Sequence, residues 1–259
     1  MKQTKWIMGM PITVFIADHS ATEKAKESAL KEVFDYFTYV DKKFSTYKED
    51  SEISRINRKE IKENEYSEDM KIVFALSKKT RLETLGYFNI ITPEGLYDPS
   101  GLVKGWSIYN AANILSKLGY KNFYVDAGGD IEVRGKNSKD KIWSVGIRDP
   151  FSDDKSRIVK TVFITDCGMA TSGTYIRGQH IYNPHIGRVP LRELASITVI
   201  GPNIYEADRF ATTAFAMGLE GINFIEQLDG FEGYSINPSG IATMTSGFEK
   251  HFVSLAKNI

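Results

Sequence analysis

Residues 123–134 read FYVDAGGDIEVR. Two runs rich in β-branched and aromatic residues flank the glycine-containing segment 126–130, a pattern typical of two strands joined by a tight turn. Residues 123–125 and 131–134 are therefore predicted to be strands that pair antiparallel. A fold built around this hairpin contains an antiparallel sheet.

Helices and further strands are predicted on both sides of this hairpin. Apolar residues recur every three or four positions between about 22 and 44, which predicts a long amphipathic helix. The other predicted elements are helices at 51–57, from Ser67 onward, at 104–118, 205–217 and 222–228, and strands at 12–16, 143–148, 158–165 and 196–200, with two more near the end. No repeat or linker divides the chain. We therefore expect an α+β fold with antiparallel sheets and flanking helices, with residues 1–259 forming one globular unit or two closely packed subdomains.

The amino-acid composition bears on the partners and the location of the protein. The 259 residues include 33 basic and 33 acidic side chains, so the formal net charge is zero and nothing favours nucleic acid or an anionic membrane as partner. Cys167 is the single cysteine, so no internal disulfide can form and a reducing compartment fits best. Residues 1–13 are too short and too interrupted for a signal peptide or a membrane span. We expect a cytoplasmic protein, although a removed leader would leave no trace.

Asp208 and Thr212 form the first candidate site. They are four residues apart in a predicted helix, so their side chains lie on one face, one turn from each other. A carboxylate and a hydroxyl, with room for waters and a phosphate, suit magnesium, which prefers octahedral oxygen ligands. Alternatively, Asp208 caps the helix or interacts with its dipole.

Residues 98–105, DPSGLVKG, form the second candidate site. We expect this stretch to end at a helix N-terminus, where free amide groups favour an anion such as a diphosphate. Lys104 adds a positive charge, the Gly101 carbonyl can approach a cation, and Asp98 can accept a hydrogen bond. The alternative is a tight turn before a capped helix, without any ligand.

Several motifs occur together in the order found in one known family. DPSGLVKG at 98–105, DAGGDI at 126–131, ATSGTY at 170–175, HIYNP at 180–184 and ADRFAT at 207–212 resemble the motifs of the FAD:protein FMN transferases. MGM at 8–10 and FSTY at 44–47 resemble the family's N-terminal pattern. The resemblance spans nearly the whole chain. It implies an enzyme that takes FAD as substrate, transfers FMN to a Thr or Ser of an acceptor flavoprotein, releases AMP and requires Mg²⁺.

The resemblance also implies roles for single residues. The metal ligands would be the Asp208 carboxylate, the Thr212 hydroxyl and the Gly101 carbonyl. The residues that would contact FAD are Met8, Phe88, Asn89, Asp98, Lys104 and Ile181. Tyr47 and Trp106, in or beside matched motifs, are further candidates for contact with the flavin ring.

His180 is the candidate general base, because the unperturbed pKa of histidine lies nearest neutrality. Its alternative role is that of a hydrogen-bonded positioning residue. The family usually has Asp where this chain has Asn89 and Asn183, frequently where it has Thr174, and often at the position of Tyr109 and Asn110. The loss of these carboxylates makes an FAD pyrophosphatase that yields FMN and AMP an alternative function. An alternative of a different class is a protein that binds FAD without chemistry.

Overall fold

A computed structural model describes residues 1–154, 156–173 and 181–252 of the chain. The helices in this part are α1 (Glu23–Phe44), α2 (Glu52–Asn57), α3 (Glu68–Glu83), α4 (Ser100–Lys117), α5 (Ile204–Ala216) and α6 (Gly221–Glu226). The strands are β1 (Lys2–Ile7), β2 (Met10–Ile16), β3 (Phe123–Ala127), β4 (Asp130–Arg134), β5 (Trp143–Arg148), β6 (Ile158–Ile164), β7 (Cys167–Gly173), β8 (Ser196–Gly201), β9 (Glu232–Ile236) and β10 (Ala242–Met244).

Among the described residues, eight strands form one sheet in the order β1-β2-β3-β4-β7-β8-β9-β10, and β5 and β6 form a separate hairpin. Every strand pair in that sheet and in the hairpin is antiparallel. In the β3–β4 hairpin, which was predicted from residues 123–134, Val125 lies opposite Glu132 and Ala127 lies opposite Asp130. The predicted α+β class with antiparallel sheets and flanking helices is confirmed.

The main core lies on one face of the eight-stranded sheet. Alternate residues of β2, namely Ile12, Val14 and Ile16, are fully buried, as the period of two in a strand requires. They belong to an apolar cluster that also contains residues of α1, α4 and α5. On the opposite face, Val133 of β4 clusters with Trp143 and Val162 of the β5–β6 hairpin. The sheet is thus covered by helices on one side and by the hairpin on the other.

Two strands were not predicted, and one helix begins a full turn earlier than predicted. β1 was not predicted because KQTKWI has no apolar run and is almost wholly exposed. β7, CGMATSG, consists mostly of small residues, which give a weak strand signal. Helix α4 begins at Ser100 rather than at 104, so Lys104 and Gly105 lie inside its first turns and not at its N-terminus.

The N-terminus of α5 is held against the sheet by two close contacts. The Ile204 backbone N–H donates a hydrogen bond of 2.7 Å to Oε2 of Glu132 on β4, and that glutamate is fully buried. On β7, a Cβ added to Gly168 would lie 2.0 Å from the Ile204 nitrogen, so only glycine lets the helix approach this closely. These contacts fix the start of the helix that carries Asp208 and Thr212.

In the part of the chain that the structure describes, no helix has the length and apolar character needed to cross a membrane.

Candidate active site

A cavity of about 620 Å³ opens between the start of α4, the β3–β4 turn and the segments at 87–92 and 181–184. Its volume lies within the range of about 300–1,000 Å³ that is usual for ligand sites. Seven residues that were predicted from the sequence line it: Phe88, Asn89, Asp98, Gly101, Lys104, Ile181 and Thr212. The fold therefore brings together residues from widely separated segments of the chain.

Lys104 lies at the centre of the polar wall of this cavity. Its ammonium group forms ion pairs with Asp130 at the start of β4 and with Asp208 on α5, with 3.3 Å between Nζ and Oδ1 of Asp208. The other oxygen of Asp130, Oδ1, accepts a hydrogen bond of 2.9 Å from the Thr171 backbone N–H. The lysine is thus held between two carboxylates while it lines the cavity.

Asp208 lies behind Lys104 in the wall and is almost completely buried. Its Oδ2 accepts a hydrogen bond of 2.7 Å from the Gly105 N–H. A Cβ on Gly105 would lie 2.6 Å from the Asp208 Cβ, so glycine is required where α4 and α5 meet. Burial raises the pKa of Asp208 above its usual range, against the opposing effect of the Lys104 charge. A cation near this carboxylate would favour its ionised form.

The three predicted metal ligands are positioned by α4 and α5. The Thr212 hydroxyl lies 3.5 Å from the Gly101 carbonyl oxygen, and Asp208 is one turn before Thr212. The set comprises a carboxylate, a hydroxyl and a carbonyl, which are the hard oxygen donors that Mg²⁺ prefers. No group of three or more His, Cys, Asp or Glu side chains suited to a metal occurs among the residues described. A site with one carboxylate is compatible with that finding. The donor types fit the ion, while Asp208 itself is paired with Lys104 and the Gly105 N–H and does not line the cavity.

Besides Asp208, which lies behind the cavity wall, four predicted residues lie away from the cavity or outside the described chain. Met8 has a φ of 55° and packs against two apolar clusters rather than lining the cavity. Tyr47 is fully exposed, and Trp106 packs edge-on against Phe44 in the core; neither lines the cavity. His180 lies outside the described residues.

The sequence reasoning missed several residues that line the cavity. Asp126 and Asp130 flank the Gly-Gly turn that joins β3 to β4, and Arg148 ends β5. Burial, reinforced by the neighbouring Asp130, raises the pKa of Asp126 to about 6. The signal for this pair is the motif DAGGDI, in which two carboxylates flank a tight turn. Trp6 of β1, which is largely exposed, also lines the cavity and carried no signal.

Known sequences resemble this chain over most of its length. The sequence model of the ApbE family matches residues 8–96 and 95–235. FAD:protein FMN transferase of Haemophilus influenzae is 26% identical over 284 residues, covering 84% of this chain and 82% of that protein. The Escherichia coli K12 protein of the same name is 29% identical over 176 residues, covering 64% of this chain and 50% of that protein. That second match thus spans half the length of the relative.

Solved structures share the fold. The flavin transferase ApbE from Vibrio cholerae superposes with a TM-score of 0.82 at 22% identity, covering 97% of this chain and 98% of that one. The ApbE protein from Thermotoga maritima gives a TM-score of 0.83 at 18% identity, covering 98% of this chain and 99% of that one. At these identities the likeness concerns the arrangement of helices and strands.

Proposed function

This chain belongs to the ApbE family, and from that premise we propose that it is an FAD:protein FMN transferase. It takes FAD as substrate, attaches the FMN half through a phosphoester to a Thr or Ser of an acceptor flavoprotein, and releases AMP. The observation that carries this proposal is the position of Lys104, which lines the cavity beside Gly101 and Thr212 and is held by Asp130 and Asp208. Lys104 thus supplies N–H donors at a fixed position for a phosphate oxygen, while the two carboxylates offset its charge.

The reaction is a displacement at the phosphorus of the FMN half. The acceptor hydroxyl oxygen forms a bond to this phosphorus while the bond to the bridging oxygen breaks, and AMP leaves with that oxygen. His180 is proposed to take the proton of the acceptor hydroxyl. Lys104 orients the diphosphate, and Asp98, Phe88, Asn89 and Ile181, which line the cavity, are proposed to contact the rest of FAD.

Asp208, Thr212 and the Gly101 carbonyl are proposed to hold Mg²⁺. When bound, the ion offsets negative charge on the diphosphate and polarises its oxygens. The chemistry of the three oxygen donors supports this role. Manganese accepts nearly the same oxygen ligands.

Two alternative functions use the same cavity. An FAD pyrophosphatase would transfer the FMN phosphoryl group to water rather than to a protein hydroxyl. This alternative is favoured by the amides at Asn89 and Asn183, which leave fewer carboxylates to orient a base for the acceptor hydroxyl. A protein that binds FAD without chemistry needs no metal ligands, so the oxygen donors at Asp208 and Thr212 argue against it. We further propose a cytoplasmic location, from the single cysteine.

The test incubates the purified protein with FAD and Mg²⁺, with and without candidate flavoproteins, and follows AMP release together with the mass of each candidate. The transferase predicts that one flavoprotein gains the mass of FMN in step with AMP. Release of AMP with no change in any flavoprotein would support the pyrophosphatase. FAD binding without AMP would support the binding protein.

The metal role is tested with Asp208→Asn, which keeps the size of the side chain and removes its charge. We expect transfer at saturating Mg²⁺ to fall about a hundredfold or more, as when one electrostatic stabiliser is removed. The control is Asp229→Asn, at an exposed position, which should transfer FMN normally. Unchanged transfer by Asp208→Asn would refute the proposed metal site.

A further inference from the structure

Two short hairpins lie side by side at the edge of the cavity. We call residues 91–97 and 181–189 the lip. An antiparallel bridge closes each hairpin. Thr92 of the first segment and Tyr182 and Pro184 of the second line the cavity, so the lip is continuous with the proposed FAD site.

The two segments of the lip are joined by side-chain contacts. Arg188 donates two hydrogen bonds of 2.9 Å each to the two carboxylate oxygens of Glu94. Its guanidinium group also lies 5.6 Å from the centre of the Tyr182 ring. The Tyr182 hydroxyl donates a hydrogen bond of 3.4 Å to the Ile91 carbonyl. The segments, about ninety residues apart in sequence, therefore form one surface.

The lip exposes several apolar side chains. Ile186 and Val189 are 56% and 51% exposed, and Ile91 and Leu96 on the other segment are exposed as well. A single exposed apolar residue needs no explanation, but a group of them beside a ligand cavity is typical of an interaction site. The Arg188–Glu94 pair cancels its own charge, so the surface is apolar without a strong charge of either sign.

We propose that the lip docks the acceptor flavoprotein, through an apolar segment that flanks its target Thr or Ser. This inference rests on the proposed transferase function and names the surface that its protein substrate contacts. The acceptor is too large to enter a cavity of about 620 Å³. Only the segment that carries the target hydroxyl enters, and the acceptor surface around that segment contacts the rim of the cavity. Ile186 and Val189 do not line the cavity, so FAD does not need them.

The test uses the variant Ile186→Ser/Val189→Ser and the flavoprotein that gains the FMN mass in the assay above. Two apolar side chains removed from a contact should raise the KM for this acceptor about tenfold, with kcat at saturating acceptor unchanged. The affinity for FAD should stay the same, because the substituted side chains lie outside the cavity. Binding of the acceptor whose target Thr or Ser is replaced by Ala should weaken by the same factor.

The chain offers a matched control in Ile158→Ser/Val159→Ser. These residues lie on β6, are 52% and 41% exposed, and do not line the cavity. The control makes the same chemical change at similar exposure and should leave the KM for the acceptor at the wild-type value. Thermal unfolding of both variants verifies that they fold.

The results separate failure of this inference from failure of the proposed function. If the wild type modifies the acceptor and the lip variant has an unchanged KM, the docking surface is wrong and the transferase stands. If no flavoprotein gains the FMN mass, the transferase is wrong and the docking inference is wrong with it. A wild-type dimer that the lip variant converts to a monomer, with KM unchanged, would assign the lip to a second copy of this chain.

Discussion

The cavity has two sides that are built differently. The polar wall of Lys104, Asp130 and Asp208 belongs to α4, β4 and α5, and both of its carboxylates are buried. The lip of residues 91–97 and 181–189 is irregular chain that exposes four aliphatic side chains and one ion pair. Groups that act on a phosphate must keep fixed positions, and buried regular elements provide them. Groups that receive a protein must be accessible, and turns at the surface provide that.

This contrast leads us to expect different responses to substitution. Changes in the polar wall should affect stability and transfer together, because its charges are packed between helices and a sheet. Changes in the lip should affect recognition of the acceptor while stability remains the same. Three substitutions are taken from the largest expected effect to the smallest: Gly105→Ala beside the polar wall, Glu132→Gln at the buried contact that holds the start of α5, and Glu94→Gln in the lip.

Gly105→Ala should disrupt the packing of α4 against α5 at the polar wall. The new Cβ would lie 2.6 Å from the Asp208 Cβ and 2.8 Å from the Ile204 carbonyl oxygen, and neither atom is the end of a flexible side chain. Overpacking lowers the free energy of unfolding by about 1–3 kcal/mol or more, whereas the higher helix propensity of alanine raises it by at most about 1 kcal/mol. We expect a lower unfolding free energy in urea and a loss of FMN transfer. Ser116→Ala, on the exposed face of the same helix, should preserve both, and a fully active Gly105→Ala would contradict the packing argument.

Glu132→Gln should change how stability depends on pH. Burial raises the pKa of Glu132 from 4.5 to about 7, despite the nearby Arg134. Between these values the folded state keeps a proton that the unfolded state has lost, so wild-type stability falls as pH rises. From about pH 5 to about pH 7 the fall should amount to about 2 kcal/mol. The amide introduced by Glu132→Gln has no proton to lose in this range, so the variant lacks this contribution.

Urea unfolding across this pH range measures the effect. The free energy of unfolding of the Glu132→Gln variant should decline less steeply with pH than that of the wild type. Glu27→Gln, at an exposed position on α1, is the control and should follow the wild-type curve. Parallel curves for wild type and Glu132→Gln would show that Glu132 is ionised throughout, and that α5 is anchored by a charged group.

Glu94→Gln should have the smallest effect, because the Glu94–Arg188 pair is exposed to water. The melting temperature should match that of the wild type. The KM for the acceptor should rise about twofold, less than in the lip variant, since the substitution loosens the link between the two hairpins without removing apolar surface. A melting temperature several degrees lower would mean that the lip supports the fold, contrary to the expected difference between lip and polar wall.

Many of the helices and strands could be predicted from the local spacing of apolar residues. The alternation in β2 and the spacing of apolar residues in α1 predicted these elements correctly because each buries one face. β1 and β7 escaped prediction because their residues carry no such pattern. β1 is an exposed edge strand, and β7 uses glycine and other small residues so that α5 can lie close to it.

The sequence by itself determined the α+β class, the family and the residue types of the site. The tertiary structure decided which of these residues meet: Lys104 between Asp130 and Asp208, Gly101 beside Thr212, and Glu94 beside Arg188. The physical reason is the range of the interactions. Patterning and capping act within one or two helical turns, whereas a cavity forms where elements distant in sequence pack together.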